Sequence, residues 1–394
     1  MTSRVLKLNE FATWHGFLAI GALVLTGLSA SVLWRMPAWP AAFSQQPQSA
    51  SCVGRPIFDT AILHSAAPRI AHVSSTVVLR DGRLRAFWYE GSAELKKDVK
   101  IYSSIFDGRW SEPRAIAGAM ETGDSIGQYV RKLGNSVVYP DARGDLGLLF
   151  ASFGFGGWSS ASLNRIRSSD EGQTWSAPIH LLTTPTFNFS TLVKAPPIQM
   201  EGGLTLVPAY QEFLKHIPEV LLLDTSGRVV GRRRIGGGIN PLQPQLVVLD
   251  RQRARAFVRS NRLDRVQVSD TSDAGWTWTA LRPISIPNFD RPVAVISLGG
   301  ERVLMVYSTH VRNSAPGTRL MFAVSGDDGE SWRDIYVLED LAPQTEDMSY
   351  PWIVAGSDGT FNLTFTNYVG EGSQIAHVRF NRDWIAAHGG PPCP

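Results

Sequence analysis

The chain is poor in several things, and each shortage excludes a class of function. Its 394 residues include only 2 cysteines. That is too few for a paired-cysteine zinc site or a disulfide-built scaffold. It has no His-Glu-x-x-His zinc motif and no Walker phosphate loop, which removes zinc-protease and P-loop chemistry. Charge is scarce at 19%, and the formal net charge is only +3. The excess is mostly arginine scattered through apolar runs, with Arg232-Arg233-Arg234 as its one cluster. A run that short reads as a solvated face, so no nucleic-acid partner is expected. Nothing calls for a metal, an organic cofactor or an obligate protein partner.

Long apolar stretches are equally scarce. One exists, Phe17 to Trp34, 18 residues without a charge. As a helix it would run about 27 Å. Arg4 and Lys7 precede it and Arg35 follows. It reads as an uncleaved membrane anchor with a cytoplasmic N-terminus, or else as a signal sequence. Either reading exports the rest of the chain to the cell envelope, on the periplasmic side of an inner membrane, or beyond it. The expected organisation is therefore a tail and anchor over 1–36, a linker over 37–54 rich in Pro, Ala, Gln and Ser, and one globular unit over 55–394.

What the chain has in abundance is repetition. Ser168-Ser169-Asp170-Glu171-Gly172-Gln173-Thr174-Trp175 is echoed by Thr271-Ser272-Asp273-Ala274-Gly275-Trp276-Thr277-Trp278. A third copy is Ser325-Gly326-Asp327-Asp328-Gly329-Glu330-Ser331-Trp332. One interval between the aspartates is close to twice the other, a period of roughly 50 residues, which marks a repeat architecture. The residue types describe a stapled turn. Asp and Ser or Thr bond the turn backbone, Gly permits positive φ, and Trp packs back onto a sheet. These aspartates are therefore expected to be structural.

Six segments read as strand, polar turn, strand: Thr76–Tyr89, Ser136–Ser152, Pro197–Tyr210, Gln245–Ser260, Ala294–Thr309 and Pro351–Thr366. Runs of Val, Ile, Leu, Phe and Tyr around Asp-Gly or Gly-Gly are hairpin signals. The Asp phrases follow the second, fourth and fifth hairpins, and Phe106-Asp107-Gly108-Arg109-Trp110 is a degenerate copy after the first. Each unit then has two inner strands and two outer strands joined by the phrase. Six such units predict an all-β, six-bladed propeller. Cys52 and Cys393 flank it. A disulfide between them would staple the closure of the ring in an oxidising compartment; the alternative is two free thiols. Gly154-Phe155-Gly156-Gly157-Trp158 lies between strands and reads as a plain turn or as a rim loop presenting Trp158, not as a phosphate cradle.

With these motifs the chain resembles the sialidase (neuraminidase) superfamily, in particular its bacterial branch with BNR, or Asp-box, repeats. The resemblance spans about residues 60 to 382. Beyond the Asp phrases it is carried by Phe87-Trp88-Tyr89-Glu90-Gly91 with Glu94 and Asp98, by Pro208-Ala209-Tyr210-Gln211-Glu212, and by Ser349-Tyr350-Pro351. The resemblance implies an exported glycoside hydrolase acting on an acidic sugar of a polysaccharide or glycoconjugate. Arginines would clamp the substrate carboxylate. A tyrosine would be the nucleophile, outside the usual two-carboxylate scheme, and an acid on a loop the proton donor.

Carried over residue by residue, the resemblance makes Tyr350 the nucleophile and Glu94 the acid/base, with Asp98 beside it. Arg259 takes the second arginine position and Arg319 the third, with Arg312 as rival. Two positions depart from the family pattern. His72 stands where the first arginine belongs, with Arg69 three residues upstream. Gln243 stands where a glutamate should sharpen the tyrosine, and a glutamine takes no proton. Glu212, beside Tyr210, is the alternative carboxylate. These departures keep open a non-catalytic polysaccharide-binding propeller of the envelope. They also keep open a polysaccharide lyase with His72 or Tyr350 as base.

Overall fold

The computed structural model describes residues 15–27, 39–44, 52, 54–94, 96–184, 190–213, 215–237, 240–260, 264–310, 317–339, 341 and 345–392. Contacts divide the chain into residues 1–39 and 40–394. In the first unit, residues 15–27 form helix α1. At about 1.5 Å per residue it is near 20 Å long, short of the roughly 30 Å bilayer core. No helix among the described residues is long and apolar enough to cross a membrane. The expected anchor over Phe17–Trp34 thus has no support beyond residue 27, and its remainder lies outside the described residues.

The second unit is the predicted six-bladed propeller. Strand β1 (Phe58–Ser65) comes first in the chain and belongs to the last blade. Blade one is β2 (Ile70–Val78), β3 (Leu84–Gly91), β4 (Lys100–Phe106) and β5 (Arg114–Ala117). Helix α2 (Ala119–Ile126) leads to blade two: β6 (Lys132–Pro140), β7 (Leu146–Phe153), β8 (Ala161–Ser168) and β9 (Ile179–His180). Blade three is β10 (Thr191–Val193), β11 (Ile198–Gln199), β12 (Thr205–Glu212), β13 (His216–Leu223) and β14 (Val229–Arg234). Blade four is β15 (Pro241–Val248), β16 (Ala254–Ser260), β17 (Arg265–Thr271) and β18 (Arg282–Pro287). Blade five is β19 (Ala294–Gly299), β20 (Arg302–Thr309), β21 (Arg319–Ser325) and β22 (Arg333–Val337). Blade six is β23 (Thr345–Ala355), β24 (Thr360–Val369) and β25 (Gly372–Asn381), with β1 as its outer strand.

That outer strand closes the ring. β1 pairs antiparallel with β25, from Phe58 against Phe380 to Ser65 against Gln374, so the two ends of the propeller are knitted by backbone hydrogen bonds. Helix α3 (Arg382–Ala387) finishes the closure. The Asn381 side chain caps it, accepting from Trp384 N, and the Trp384 ring stacks on Phe58 at 4.6 Å. Cys52 takes part in a disulfide, and Cys393, the chain's other cysteine, lies outside the described residues. The expected linker over 37–54 is not wholly free of the propeller. Phe43 is fully buried, bridges to Met200, and donates its N–H to Arg251 O at 2.7 Å.

The Asp phrases join the third and fourth strands of blades two, four and five, as their position predicts. Asp273 accepts from Thr277 N at 2.8 Å, Thr277 Oγ1 at 2.5 Å and Thr271 Oγ1 at 2.8 Å. Asp327 repeats the set with Ser331 and Ser325, and these bonds pull its carboxyl down to about 2 against the opposing effect of burial. The turn also welds neighbouring blades. Trp332 of blade five meets Phe257 of blade four edge-on at 5.8 Å, and Trp175 of blade two meets Phe87 of blade one at 5.6 Å. Gly329 has φ 86°, and a Cβ there would lie 2.8 Å from Phe257. Glycine is therefore required both for the turn and for the blade contact. The apolar core lies between blades: Phe87, Leu148 and Phe150 between the first two, and Phe322, Phe361 and Phe380 between the last two.

Candidate active site

The innermost strands carry a shared irregularity. The pairing of β2 with β3 slips between His72 and Ser75, that of β6 with β7 between Leu133 and Ser136, that of β15 with β16 between Leu242 and Gln245, and that of β23 with β24 between Ser349 and Trp352. These are β-bulges, which re-aim side chains near functional sites. Val73, Gln243 and Tyr350 sit in the left-handed region at φ 51°, 49° and 56°, as does Asp290 at φ 56° just ahead of β19. For residues with a Cβ this backbone is strained, and such strain collects at active sites. In blade three the innermost strand is broken outright between β10 and β11, and Lys194 occupies the break.

These irregularities bring one network together from six directions. Arg259 on β16 is its hub. Its Nε donates to Asp290 Oδ1 at 2.9 Å, its Nη1 to Gln243 Oε1 at 2.7 Å and to the Tyr350 hydroxyl at 3.4 Å. Gln243 Nε2 donates to the Tyr210 hydroxyl at 3.2 Å, and Asn135 Nδ2 donates to the same oxygen at 3.3 Å. From blade one, the His72 ring lies edge-on to Tyr350 at 4.5 Å, while His72 Nδ1 is 3.0 Å from Thr366 Oγ1. The Tyr368 hydroxyl also lies 3.2 Å from His72 Nδ1. The Tyr89 hydroxyl donates to Glu94 Oε1 at 3.2 Å. Tyr350, Arg259, Gln243, Tyr210, His72 and Glu94, all singled out from the sequence, thus line one region.

Burial and charge then set the protonation states. Burial, followed by the charges of Arg291, Lys194 and Arg259, pushes His72 from 6.5 down to about 3. His72 is therefore neutral at pH 7 and does not replace an arginine by charge. It buttresses Tyr350 instead. Burial and Arg259 push Lys194 from 10.5 down to about 7, and its Nζ donates to Pro351 O at 2.6 Å. Burial lowers Lys132 to about 8 against the pull of Glu94. Burial raises the Glu212 carboxyl; Arg259 opposes the rise, while Asp290 and Glu94 add to it. Glu212, Asp290, Glu94 and Arg259 thus share one electrostatic neighbourhood. No hydrogen bond among the described residues joins Glu212 to Tyr350.

Three sequence-derived candidates lie elsewhere. Arg319 is buried, but its guanidinium donates to the carbonyls of Thr318, Thr345 and Glu346 at 3.1 to 3.4 Å. These bonds tie blade five to blade six, and Arg312 lies outside the described residues. Arg69 sits at the rim, 3.5 Å from Glu90 and 3.5 Å from Asp98. Asp98 accepts from Ser92 N at 2.9 Å and Ser92 Oγ at 3.0 Å, so it shapes the β3–β4 loop that carries Glu94.

Sequence reasoning missed Asn135, Lys194, Asp290 and Tyr368 of this network, and with them Arg291. It donates to Asp347 Oδ2 at 2.8 Å, its charge acts on His72 and Tyr368, and its buried Nε has no hydrogen-bond partner among the described residues. The Arg291 side chain is 37% exposed, so the outer part of its guanidinium is open to a carboxylate from solution. One signal was available. Arg291 precedes Pro292 just as Gln243 precedes Pro244 and Tyr350 precedes Pro351.

A family model described as a BNR repeat-like domain matches residues 82–363. The chain belongs to the BNR repeat-like family. Comparison with curated proteins finds no match. Among solved structures, a Dyadobacter fermentans protein of unknown function is 14% identical, covering 83% of this chain and 98% of its own, with a TM-score of 0.66. The Hadza microbial sialidase Hz136 is 18% identical over 78% of this chain and 65% of its own, TM-score 0.61. The NanB sialidase from Streptococcus pneumoniae is 12% identical over 86% and 71%, TM-score 0.60. The BNR-repeat chain described here therefore shares the sialidase-like fold, and its residues must argue its chemistry.

Proposed function

We propose that this BNR-repeat propeller is an exported glycoside hydrolase acting on an acidic sugar, with its site at the axis of the ring. The observation that carries the reading is the Arg259 guanidinium 3.4 Å from the Tyr350 hydroxyl. It brings a carboxylate-binding cation from blade four against a nucleophile-type phenol from blade six. Arg259 and Arg291 hold the sugar's carboxylate, and Lys194 adds positive charge behind Tyr350. Tyr350 attacks the anomeric carbon and Glu94 protonates the leaving oxygen. Glu212 is the carboxylate that takes the phenol's proton, since a phenol needs a base to attack at neutral pH. Its raised affinity for protons suits that task.

Export rests on the apolar Phe17–Trp34 run behind a basic tail and on Cys52 being in a disulfide, with Cys393 as its proposed partner. A C-terminal reporter fusion should be active only outside the cytoplasm; activity only inside it rules export out. A binding-only reading draws on one feature, the amide of Gln243 beside Arg259 where a base would serve the phenol. One assay separates the readings. The full chain is incubated with a panel of acidic glycans, products are weighed by mass spectrometry, and Tyr350→Phe is run alongside. Hydrolysis adds water across the cleaved bond and fails in Tyr350→Phe. An unsaturated product means a lyase, and retention without cleavage means a binder.

A further inference from the structure

A pocket opens against helix α2 and the α2–β6 connection and has no part in the chemistry above. Its volume is about 630 Å³, and its lining includes Lys97, Met120, Asp124, Tyr129 and Arg131. Pockets that bind small organic ligands run about 300–1,000 Å³. Two aromatic rings from different loops meet at its edge. Tyr129, from the α2–β6 connection, and Phe155, from the β7–β8 loop, stack at 4.6 Å with 15° between their planes. Both are solvent-facing, 54% and 76% exposed, and Met120 beside them is 73% exposed. Single exposed apolar residues need no explanation, but a contiguous patch marks an interaction surface.

The lining of the pocket shares two chain segments with residues of the axial site. Lys97 shares its loop with Glu94, whose carboxylate accepts from Tyr89. Arg131 adjoins Lys132, and Arg131 N donates to Phe153 O at 2.7 Å. Lys132 Nζ lies 4.4 Å over the Phe153 ring and feels the charge of Glu94. Lys97 and Arg131 face the pocket against one acid, Asp124.

We infer that this pocket is a chain-binding subsite for a linear acidic polysaccharide, holding the units next to the one at the axis. The inference rests on the axial reading for its register but predicts something of its own, a dependence on chain length. Sugar rings present apolar C–H faces to Tyr129 and Phe155, and their carboxylates fall to Lys97 and Arg131.

The test is calorimetry on the full chain with α2,8-linked sialic acid oligomers and oligogalacturonates of one to six units. Affinity should rise by roughly tenfold or more from monomer to tetramer in one series. The double variant Tyr129→Ala/Phe155→Ala should lose that gain and keep the monomer affinity. Lys97→Glu, which leaves the rings in place, should cut the gain and its salt sensitivity. Arg259→Met separates the two ideas. If monomer binding survives that change while the aromatic variant still abolishes the length gain, the axial reading fails and the subsite stands. A gain that is absent, that survives both surface variants, or that neutral malto-oligosaccharides reproduce overturns the subsite.

Discussion

Lys194 offers a prediction that needs no substrate. The lysine is buried, its Nζ donates to Pro351 O at 2.6 Å, and burial with Arg259 lowers it from 10.5 to about 7. Below pH 7 both folded and unfolded chains carry the proton, so the full cost of burying the charge is present. Between 7 and 10.5 the folded lysine is neutral and the unfolded one still charged. The unfolded state then binds more protons, and stability rises with pH. A displacement of that size corresponds to at most about 5 kcal/mol. Lys194→Met removes the cost but orphans the Pro351 carbonyl, worth about 1–3 kcal/mol. At pH 6 the variant should therefore be about 2–4 kcal/mol more stable than wild type. The gap should close as pH rises from 7 and by about pH 10 turn in favour of the wild type, which keeps the Pro351 bond. Urea unfolding of both proteins at several pH values reads this directly. Equal stability at pH 6, or a constant gap, would refute the claim that a costly buried cation is retained here. A residue held at such a cost is the signature of a site that uses its charge.

The same titration bears on ligand binding. An acidic sugar favours protonated Lys194, so its affinity should fall as pH rises through about 7 and 8, and Lys194→Met should flatten that fall in a calorimetric pH series. Glu212→Gln keeps the side-chain shape and removes the base; turnover should drop by about a hundredfold or more with ligand affinity little changed. Asp273→Ala breaks the turn bonds to Thr271 and Thr277, and should cost about 1–2 kcal/mol in thermal or urea unfolding while leaving acidic-sugar affinity as it was.

Much of the fold was legible because its signals are local. Six strand–turn–strand segments and three Asp phrases follow from period-two patterning and turn chemistry, and all became the elements expected except the third segment, whose first strand shrinks to Ile198–Gln199. The closing strand β1 was not legible, since its partner β25 lies more than 300 residues away in the chain and nothing local records that pairing. The site divided along the same line. Tyr350, Arg259, Gln243 and Glu94 were found through motifs at fixed places in blades. Arg319 was placed by counting back from an Asp phrase, a count that cannot see whether a guanidinium points to the axis or into backbone carbonyls. Arg291 sits where a bulge-like turn, with Asp290 at φ 56°, re-aims the chain. Its following proline was the only trace. The neutral state of His72 is a product of burial and three neighbouring cations, none adjacent in sequence.

The central claim is that Tyr350 attacks an acidic sugar held by Arg259. The most direct test is inactivation with a fluorinated acidic glycosyl fluoride matched to whichever glycan the wild type cleaves, followed by peptide mass mapping. The account predicts one covalent glycosyl adduct, on the peptide containing Tyr350, and none in Tyr350→Phe. An adduct on Glu94, Glu212 or any other residue, or turnover retained in Tyr350→Phe, would contradict it.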